Sequence, residues 1–455
     1  MQSFQIKEVQ VSFEDFAYRA PMKFRGTVVD RVTLLNVDVT AEFDGEASLG
    51  FGSMPLGNVW SFPSVRLTFD QTLSAMRELA ADIGEITRKS HAKGHPVEIN
   101  HQLEPLYFAA AASRTLAEPI PQLCTLVVAS AFDAAIHDAY GKALGRSSYE
   151  TYGADHMSHD LGCYLDEGFR GEFLDRYISR RPAPSLALYH LVGALDALTA
   201  GDLSSRLNDG VPETLEEWVR RERVNHIKIK LDGGNIRWDI DRVVSVHNVL
   251  SALSLHENWR YSLDFNERCR SVDYVLECLS SIRETTPEAF GKIQYLEQPT
   301  QRDLEAPGTP DMHKAALLKP IVIDESLVGY ASLLRARELG YSGVALKACK
   351  GQSNALLLAA AAQKLGMFVC MQDLTCPGAS LLHSAGLAAH IPPITAVESN
   401  ARQYVPAANA PWGARFPGIF RIVDGRLHTA QIDGPGLGIV PVPFRSINAR
   451  TFQTR

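Results

Sequence analysis

Hydrophobic positions change their period twice along this chain. In VTLLNVDVTAEF (residues 32–43) apolar and polar residues alternate, which is the signature of a half-buried strand, and the Asp44-Gly45 pair that follows is a turn signal. From Phe69 the apolar spacing lengthens to three or four residues. FDQTLSAMRELAADIGEITRK therefore predicts a helix, and LVVASAFDAAIHDAYGKALG (residues 126–145) predicts a second one closing on Gly145. From Leu161 onward short apolar runs recur: LGCYL, HIKIKL, WRYSLDF, IQYLEQ, PIVIDE, GVALKA, MFVCMQ and ITAVES. Helical stretches such as DYVLECLSSI and SNALLLAAAAQKLG separate them. Eight strand–helix units predict an α/β fold, a (β/α)8-type barrel.

The expected layout has three parts. Residues 1–150 form an α+β capping domain, and residues 151–405 form the barrel. Residues 406–455, with GIFRIVDGRLHTAQIDGPGLGIV and turns at Asp424-Gly425 and Pro435-Gly436, return to complete the capping domain. A long insertion is expected near residues 170–220, between LGCYL and HIKIKL, where ALYHLVGALDALTAGDL and ETLEEWVRRERV read as helices beside the barrel mouth.

Composition narrows the function classes. The 455 residues are 45% hydrophobic and 21% charged, ordinary globular usage with enough chain for a large core. Net charge is -7 and no Lys/Arg run is present, so nucleic acid is not an expected partner. No stretch of about 18 uncharged apolar residues predicts a membrane span, and MQSFQIKEVQ has no signal core. Seven scattered cysteines without a CxxC pair point to a reducing compartment, the cytoplasm. His91, His95 and His101 lie in SHAKGHPVEINH, read as a surface loop rather than a metal site.

The chemistry sits at the ends of the barrel strands: Lys228 and Lys230, Asp264 and Asn266, Glu297, Asp324 and Glu325, and Lys347. From Lys230 through Asp264, Glu297 and Asp324 to Lys347 the intervals are 34, 33, 27 and 23 residues, the pace of a β/α repeat. Wrapped into a barrel, these side chains converge on one mouth, which an open doubly wound sheet would not achieve. Three carboxylates suit a hard divalent cation such as Mg2+, and no Cys/His pair competes for a softer metal. Lysines on the second and sixth of eight strands stand on opposite sides of the barrel. A lysine acting as base must be neutral, so its pKa must fall from about 10.4 toward about 7–8, roughly 3–5 kcal/mol. Burial, a bound cation and the neighbouring Lys228 all act in that direction.

These motifs, in this order, resemble the enolase superfamily, in its mandelate racemase/muconate lactonizing enzyme branch. AFDAAIHDAYGKALG is similar to the helix leading into that family's modified TIM barrel, and DGRLHTAQIDGPGLGIV to its closing segment. The resemblance implies Asp264, Glu297 and Asp324 as Mg2+ ligands, with Asn266 and Glu325 behind them or as alternative ligands. It implies Lys230 and Lys347 as the acid/base pair and Lys228 as an electrostatic helper or a contact to a substrate carboxylate. The sixth strand carries Lys347, and the seventh ends Met371-Gln372-Asp373 with no histidine nearer than His383, which points to the two-lysine subgroup. One departure is Lys350-Gly351-Gln352, where the family has paired glycines.

The implied activity is Mg2+-dependent abstraction of a proton α to a carboxylate through an enediolate. The outcome is racemisation, epimerisation or cycloisomerisation of a small carboxylic acid. Alternatives are β-elimination on the same site, a Schiff-base aldolase using Lys230 or Lys347, and a non-catalytic metal-binding protein. Two segments, Tyr18–Gly26 and Gly50–Ser64, correspond to the family's lid loops. Arg19, Lys23, Arg25 and Trp60 are thus candidate substrate contacts, with Phe51 and Phe62 as further apolar lid residues. Asp373 and Glu398 join them from the last two strands; Glu398-Ser399-Asn400 matches only in part the Asp-x-Asp with which dipeptide epimerases hold an α-amine. The resemblance also implies a homo-oligomer.

Overall fold

The computed structural model describes residues 4–24, 27–255, 258–440 and 450–451. Three antiparallel strands open the chain: β1 (Gln5–Phe24), β2 (Thr27–Phe43) and β3 (Glu46–Pro55). They form a sheet in that order, with the short strand Arg450–Thr451 on the outer edge of β1. Asp44 and Gly45 both have positive φ, +51° and +87°, the left-handed pair that a two-residue hairpin requires. Along β2 the expected alternation is present: Val37, Val39 and Ala41 are fully buried between half-buried polar neighbours.

Three helices complete this layer: α1 (Phe69–Lys89), α2 (Pro96–Ala112) and α3 (Gln122–Ala143). α1 starts at a reciprocal cap, in which Thr68 Oγ1 accepts from Gln71 N and Gln71 Oε1 accepts from Thr68 N. α3 is apolar on every side because it lies between the sheet and the barrel. By length and hydropathy it would pass for a membrane span, yet it is buried inside the protein. Only the first half of SHAKGHPVEINH is a surface loop, with His91 and Lys93 exposed; the second half is helix. Pro96 occupies the first turn of α2 and His95 caps it, with Nδ1 accepting from Val97 N and Glu98 Oε2 accepting from His95 N. A histidine in the place usually taken by Ser or Thr hid this helix start.

α3 approaches β3 so closely that only glycine fits the contact. A Cβ on Gly52 would lie 1.9 Å from Ala131 O, and one on Gly50 would lie 2.0 Å from Ala135 O. Gly52→Ala is therefore expected to cost at least about 1–3 kcal/mol. The loss should appear as a lower urea midpoint with an unchanged m-value.

The barrel is closed and fully parallel. Its strands are β4 (Ser185–Val192), β5 (His226–Lys230), β6 (Arg260–Asp264), β7 (Ile293–Glu297), β8 (Ile321–Ile323), β9 (Gly343–Leu346), β10 (Phe368–Met371) and β11 (Ala396–Glu398). β11 pairs back onto β4. β12 (Arg426–His428) lies antiparallel on β4, after a turn in which Asp424 and Gly425 again have positive φ. Beyond it the tail returns to the capping domain: Gly436 O accepts from Ser148 N, and Leu437 N donates to Asp138 Oδ1.

The first barrel strand is not LGCYL. Leu161–Cys163 is a single 3₁₀ turn, with Asp160 Oδ1 capping Gly162 N. The strand is Ser185–Val192, and its residues from Ala187 onward open the stretch ALYHLVGALDALTAGDL expected to be helical. It is buried along seven of its eight residues, as a parallel strand covered on both faces must be, so no period-2 alternation marks it. The expected insertion near 170–220 shrinks accordingly. Residues 193–225 join the first two strands and carry a 3₁₀ turn, Ala200–Asp202, and one α-helix, Leu215–Glu222, within the predicted ETLEEWVRRERV.

Candidate active site

Each barrel strand sends residues i and i+2 to the same interior. The lower positions form an apolar floor that includes Tyr295, Val322, Ala345, Cys370 and Ala396. Two residues further along the same strands stand Glu297, Asp324, Lys347, Gln372 and Glu398, with Asp264 above Ser262. Lys228 is in register with Ser262, one level below Lys230, Asp264 and Glu297, and its long side chain reaches up among the acids. The charged layer thus rests on a floor that cannot solvate it, and its groups must satisfy one another.

They do so as two linked ion clusters. Lys228 Nζ donates to Glu297 Oε1 (2.9 Å), Glu398 Oε2 (3.0 Å) and Gln372 Oε1 (2.8 Å), and lies 3.0 Å from Asp264 Oδ2. Lys230 Nζ donates to Asp264 Oδ2 at 2.5 Å and to Asn266 Oδ1 at 2.9 Å. Across the barrel, Lys347 Nζ sits 2.9 Å from Asp324 Oδ2 and donates to Asp373 O at 3.1 Å. Lys350 Nζ holds Asp324 Oδ1 at 3.0 Å. Aromatic rings from the capping domain cover both outer amines. The Trp60 centroid is 4.3 Å from Lys347 Nζ, and the Phe24 centroid is 5.6 Å from Lys230 Nζ. The cavity between these amines holds about 80 Å³.

Protonation follows from this packing. Burial would raise the Asp264 carboxyl, but the Lys230 and Lys228 ammonium groups overcome it and hold the group at about 2. Asp324 is lowered likewise, by Lys347 and Lys350 against burial. Glu297 moves up, driven by burial and then by the Asp264 charge. Burial, Asp324 and Glu267 push Glu325 up to about 7. Burial would depress Lys228 and Lys347, yet the facing carboxylates raise both above the ordinary lysine range.

The proposed ligands and lysines therefore converge, while other expected contacts are engaged elsewhere. Arg19 makes a two-point pair with Asp209, at 2.6 and 2.8 Å, and donates to nearby carbonyls, so it fastens the β1–β2 hairpin to the β4–β5 loop instead of facing the cavity. Arg25 lies outside the described residues. Lys23 is exposed beside Lys230. Trp60 does line the cavity, held by its indole N–H on Glu325 Oε1 at 3.0 Å. Phe62 is core, and Phe51 stacks on Trp412. Asp373 and Glu398 line the mouth, but their oxygens are taken. Asp373 accepts from the backbone N–H groups of Leu374, Cys376 and Asn400, and Glu398 is held by Lys228 and Asn400. Lys228 lines the cavity floor, ringed by its own acceptors, and orders the acids.

Three further residues shape the site without any motif to mark them. Lys350 is a second ammonium on Asp324, and Gln372 shares Lys228. Gln298, in a left-handed conformation with φ +31°, locks two strand ends together, its Oε1 accepting from Asp324 N and its Nε2 donating to Ser326 Oγ. The missing glycine after Gly351 is also accounted for. Gly351 keeps the positive φ of the turn, +107°, and Gln352 starts a helix, with its side chain on Tyr149 OH.

Among the described residues no three Asp, Glu, His or Cys side chains are spaced to ligate one metal ion, because ammonium groups stand between the acids. The donor chemistry nonetheless fits a hard divalent cation. Asp264, Glu297, Asp324, Glu325, Asp373 and Glu398 face Lys228, Lys230, Lys347 and Lys350, and the neighbouring Glu267–Arg302 pair adds no net charge, which leaves the site formally two negative charges in excess. Glu325 Oε2 is buried with no hydrogen-bond partner. Glu297 Oε2, though 2.9 Å from Lys228 Nζ, lacks hydrogen-bond geometry.

Known proteins share this fold. No curated protein matches the sequence. Among solved structures, the chain is similar to the L-Ala-D/L-Glu epimerase from Bacillus subtilis, with a TM-score of 0.65 at 17% identity, over 97% of this chain and 100% of that one. A dipeptide epimerase from Enterococcus faecalis V583, complexed with Mg and L-Leu-L-Tyr, gives 0.64 at 16%, over 95% and 99%. The N-succinyl Arg/Lys racemase from Bacillus cereus ATCC 14579 gives 0.64 at 16%, over 95% of each chain. These likenesses are of fold. The sequence itself matches the family described as enolase C-terminal domain-like over residues 210–443, just over half of the chain. The chain belongs to the enolase superfamily, in its mandelate racemase/muconate lactonizing enzyme branch.

Proposed function

We propose that this chain abstracts the proton α to a carboxylate in a small organic acid and returns a proton to the opposite face, a racemisation or epimerisation. The observation that carries the reading is the pair of amines Lys230 and Lys347, on strands diametrically opposite in an eight-strand barrel, with the carboxylate cluster between them and an aromatic ring over each. Asp264, Glu297 and Asp324 would hold Mg2+. When bound, the cation supplies positive charge beside the substrate carboxylate, countering the negative charge that develops as the α-proton leaves. One lysine amine takes the proton as the C–H bond breaks, the bonding pair moves into the carboxyl group to give an enediolate, and the other ammonium delivers a proton from the far side. Trp60 keeps water from Lys347, and Phe24 covers one side of Lys230. Cycloisomerisation and elimination use the same first step. A Schiff-base route fits less well, because it has no use for the carboxylate cluster that stands between the two amines.

The test is incubation with Mg2+ in D2O and a panel of N-acyl amino acids, dipeptides, acid sugars and muconates, followed by mass spectrometry. The expected result is a one-dalton gain at the α-carbon, or a new product, that disappears when a chelator removes the metal. Exchange that survives chelation, or no exchange with any acid in the panel, counts against the reading.

A further inference from the structure

The mouth of the barrel has a second compartment. Beside the cavity between the two lysines lies a recess of about 290 Å³, sharing Lys230 and Asn266 as walls. Its remaining walls include Lys23 from the tip of the β1–β2 hairpin, Trp238 from the helix after β5, and the Asp232/Arg268 pair. We infer that the acid turned over here has two unequal arms: an apolar arm lodged under the capping domain, and an arm ending in a single negative charge that reaches this recess. The inference rests on the carboxylate reading above and narrows it.

Charge and shape support each arm. In the recess, Lys23 is exposed and has no ion-pair partner among the described residues. Arg268 is 3.5 Å from Asp232, a loose pair with each side chain more than a third exposed. Lys230 is committed to Asp264 and Asn266. Lys23 and Arg268 against Asp232 leave the recess with one positive charge, which favours an anionic terminus and repels an ammonium. The inner cavity is different: Met22, Phe24, Val29, Leu56 and Leu73 line its capping-domain side, with Leu191 from the barrel, and Arg31 on that side is paired with Asp70. Such a lining suits an aliphatic or aromatic group. The two acids contributed by the last barrel strands are already hydrogen-bonded within the protein. Asp373 is saturated by three backbone N–H groups, and Glu398 is held by Lys228 and Asn400.

Three acids with one common apolar arm test this, the second arm ending in a carboxylate, a carboxamide or an ammonium. Each is assayed by α-proton exchange in D2O with Mg2+, beside the broader panel described above. The carboxylate-tailed acid is expected to have the highest kcat/KM, and its advantage should shrink as salt rises from low to physiological strength. In the double variant Lys23→Gln/Arg268→Gln the recess changes from net positive to net negative. The advantage over the carboxamide should then fall by about tenfold, through KM rather than kcat. Equal exchange of all three acids, or preference for the ammonium tail, overturns the inference and leaves proton abstraction standing. Exchange confined to other members of the broad panel has the same meaning. Failure of every acid in both sets overturns the proton-abstraction reading itself.

Discussion

Lys230→Ala and Lys347→Ala are each expected to lower turnover by about 10²–10⁴-fold, the usual range for loss of a positioned acid or base. The two losses should differ in kind. If the amines serve opposite faces, each single variant keeps α-proton exchange on one enantiomer, the one whose proton faces the surviving lysine, and loses it on the other. Neither change should unfold the protein, because each carboxylate involved keeps a second ammonium. Asp264 retains Lys228 when Lys230 is removed, and Asp324 retains Lys350 when Lys347 is removed. Measuring exchange on each resolved enantiomer in D2O, with thermal melts alongside, separates catalysis from stability. Variants that exchange both enantiomers as well as the parent would remove both lysines from the chemistry.

Much of this arrangement was legible in the chain, and the failures have physical causes. The strands from β5 to β11 announced themselves because each ends in a charged or amide residue that a buried strand cannot carry without a reason, as at Lys228, Asp264, Glu297, Asp324, Lys347, Gln372 and Glu398. β4 carries no such residue, and its continuous apolar run cannot be told from a helix by periodicity. Arg19 could be placed on a lid by analogy, but its partner Asp209 is 190 residues away, and no local pattern reports a contact of that kind. The same holds for Trp60 and Glu325, 265 residues apart. Lys350 carries no sequence signal of a site role, because its neighbours are loop-like. Its side chain is nonetheless buried and directed at Asp324, an orientation set by the 3₁₀ turn Ala348–Lys350. The identities of the acids and amines could be read; which amine compensates which acid is a property of the closed barrel alone.

That compensation carries the second large effect. Lys228 is 1% exposed and its ammonium is shared by Glu297, Glu398, Asp264 and Gln372. Lys228→Met keeps the length and apolar stem of the side chain but leaves those acids facing one another over an apolar floor. Removing one partner of a buried ion pair typically costs about 3–5 kcal/mol, because the remaining charge stays desolvated and unpaired. Lys228→Met is expected at that level or above, seen as a large drop in the denaturant midpoint. A surface lysine such as Lys7, whose partner Glu42 is about half exposed, should cost less than about 1 kcal/mol. The pairing can be isolated by a cycle. Glu398→Gln removes one of the stranded charges, so the double variant Lys228→Met/Glu398→Gln should be less destabilised than the sum of the two single variants. Strict additivity would mean that Lys228 fills space in the barrel and does not neutralise the acids. In that case the excess negative charge would have to be balanced by another cation even in the resting protein.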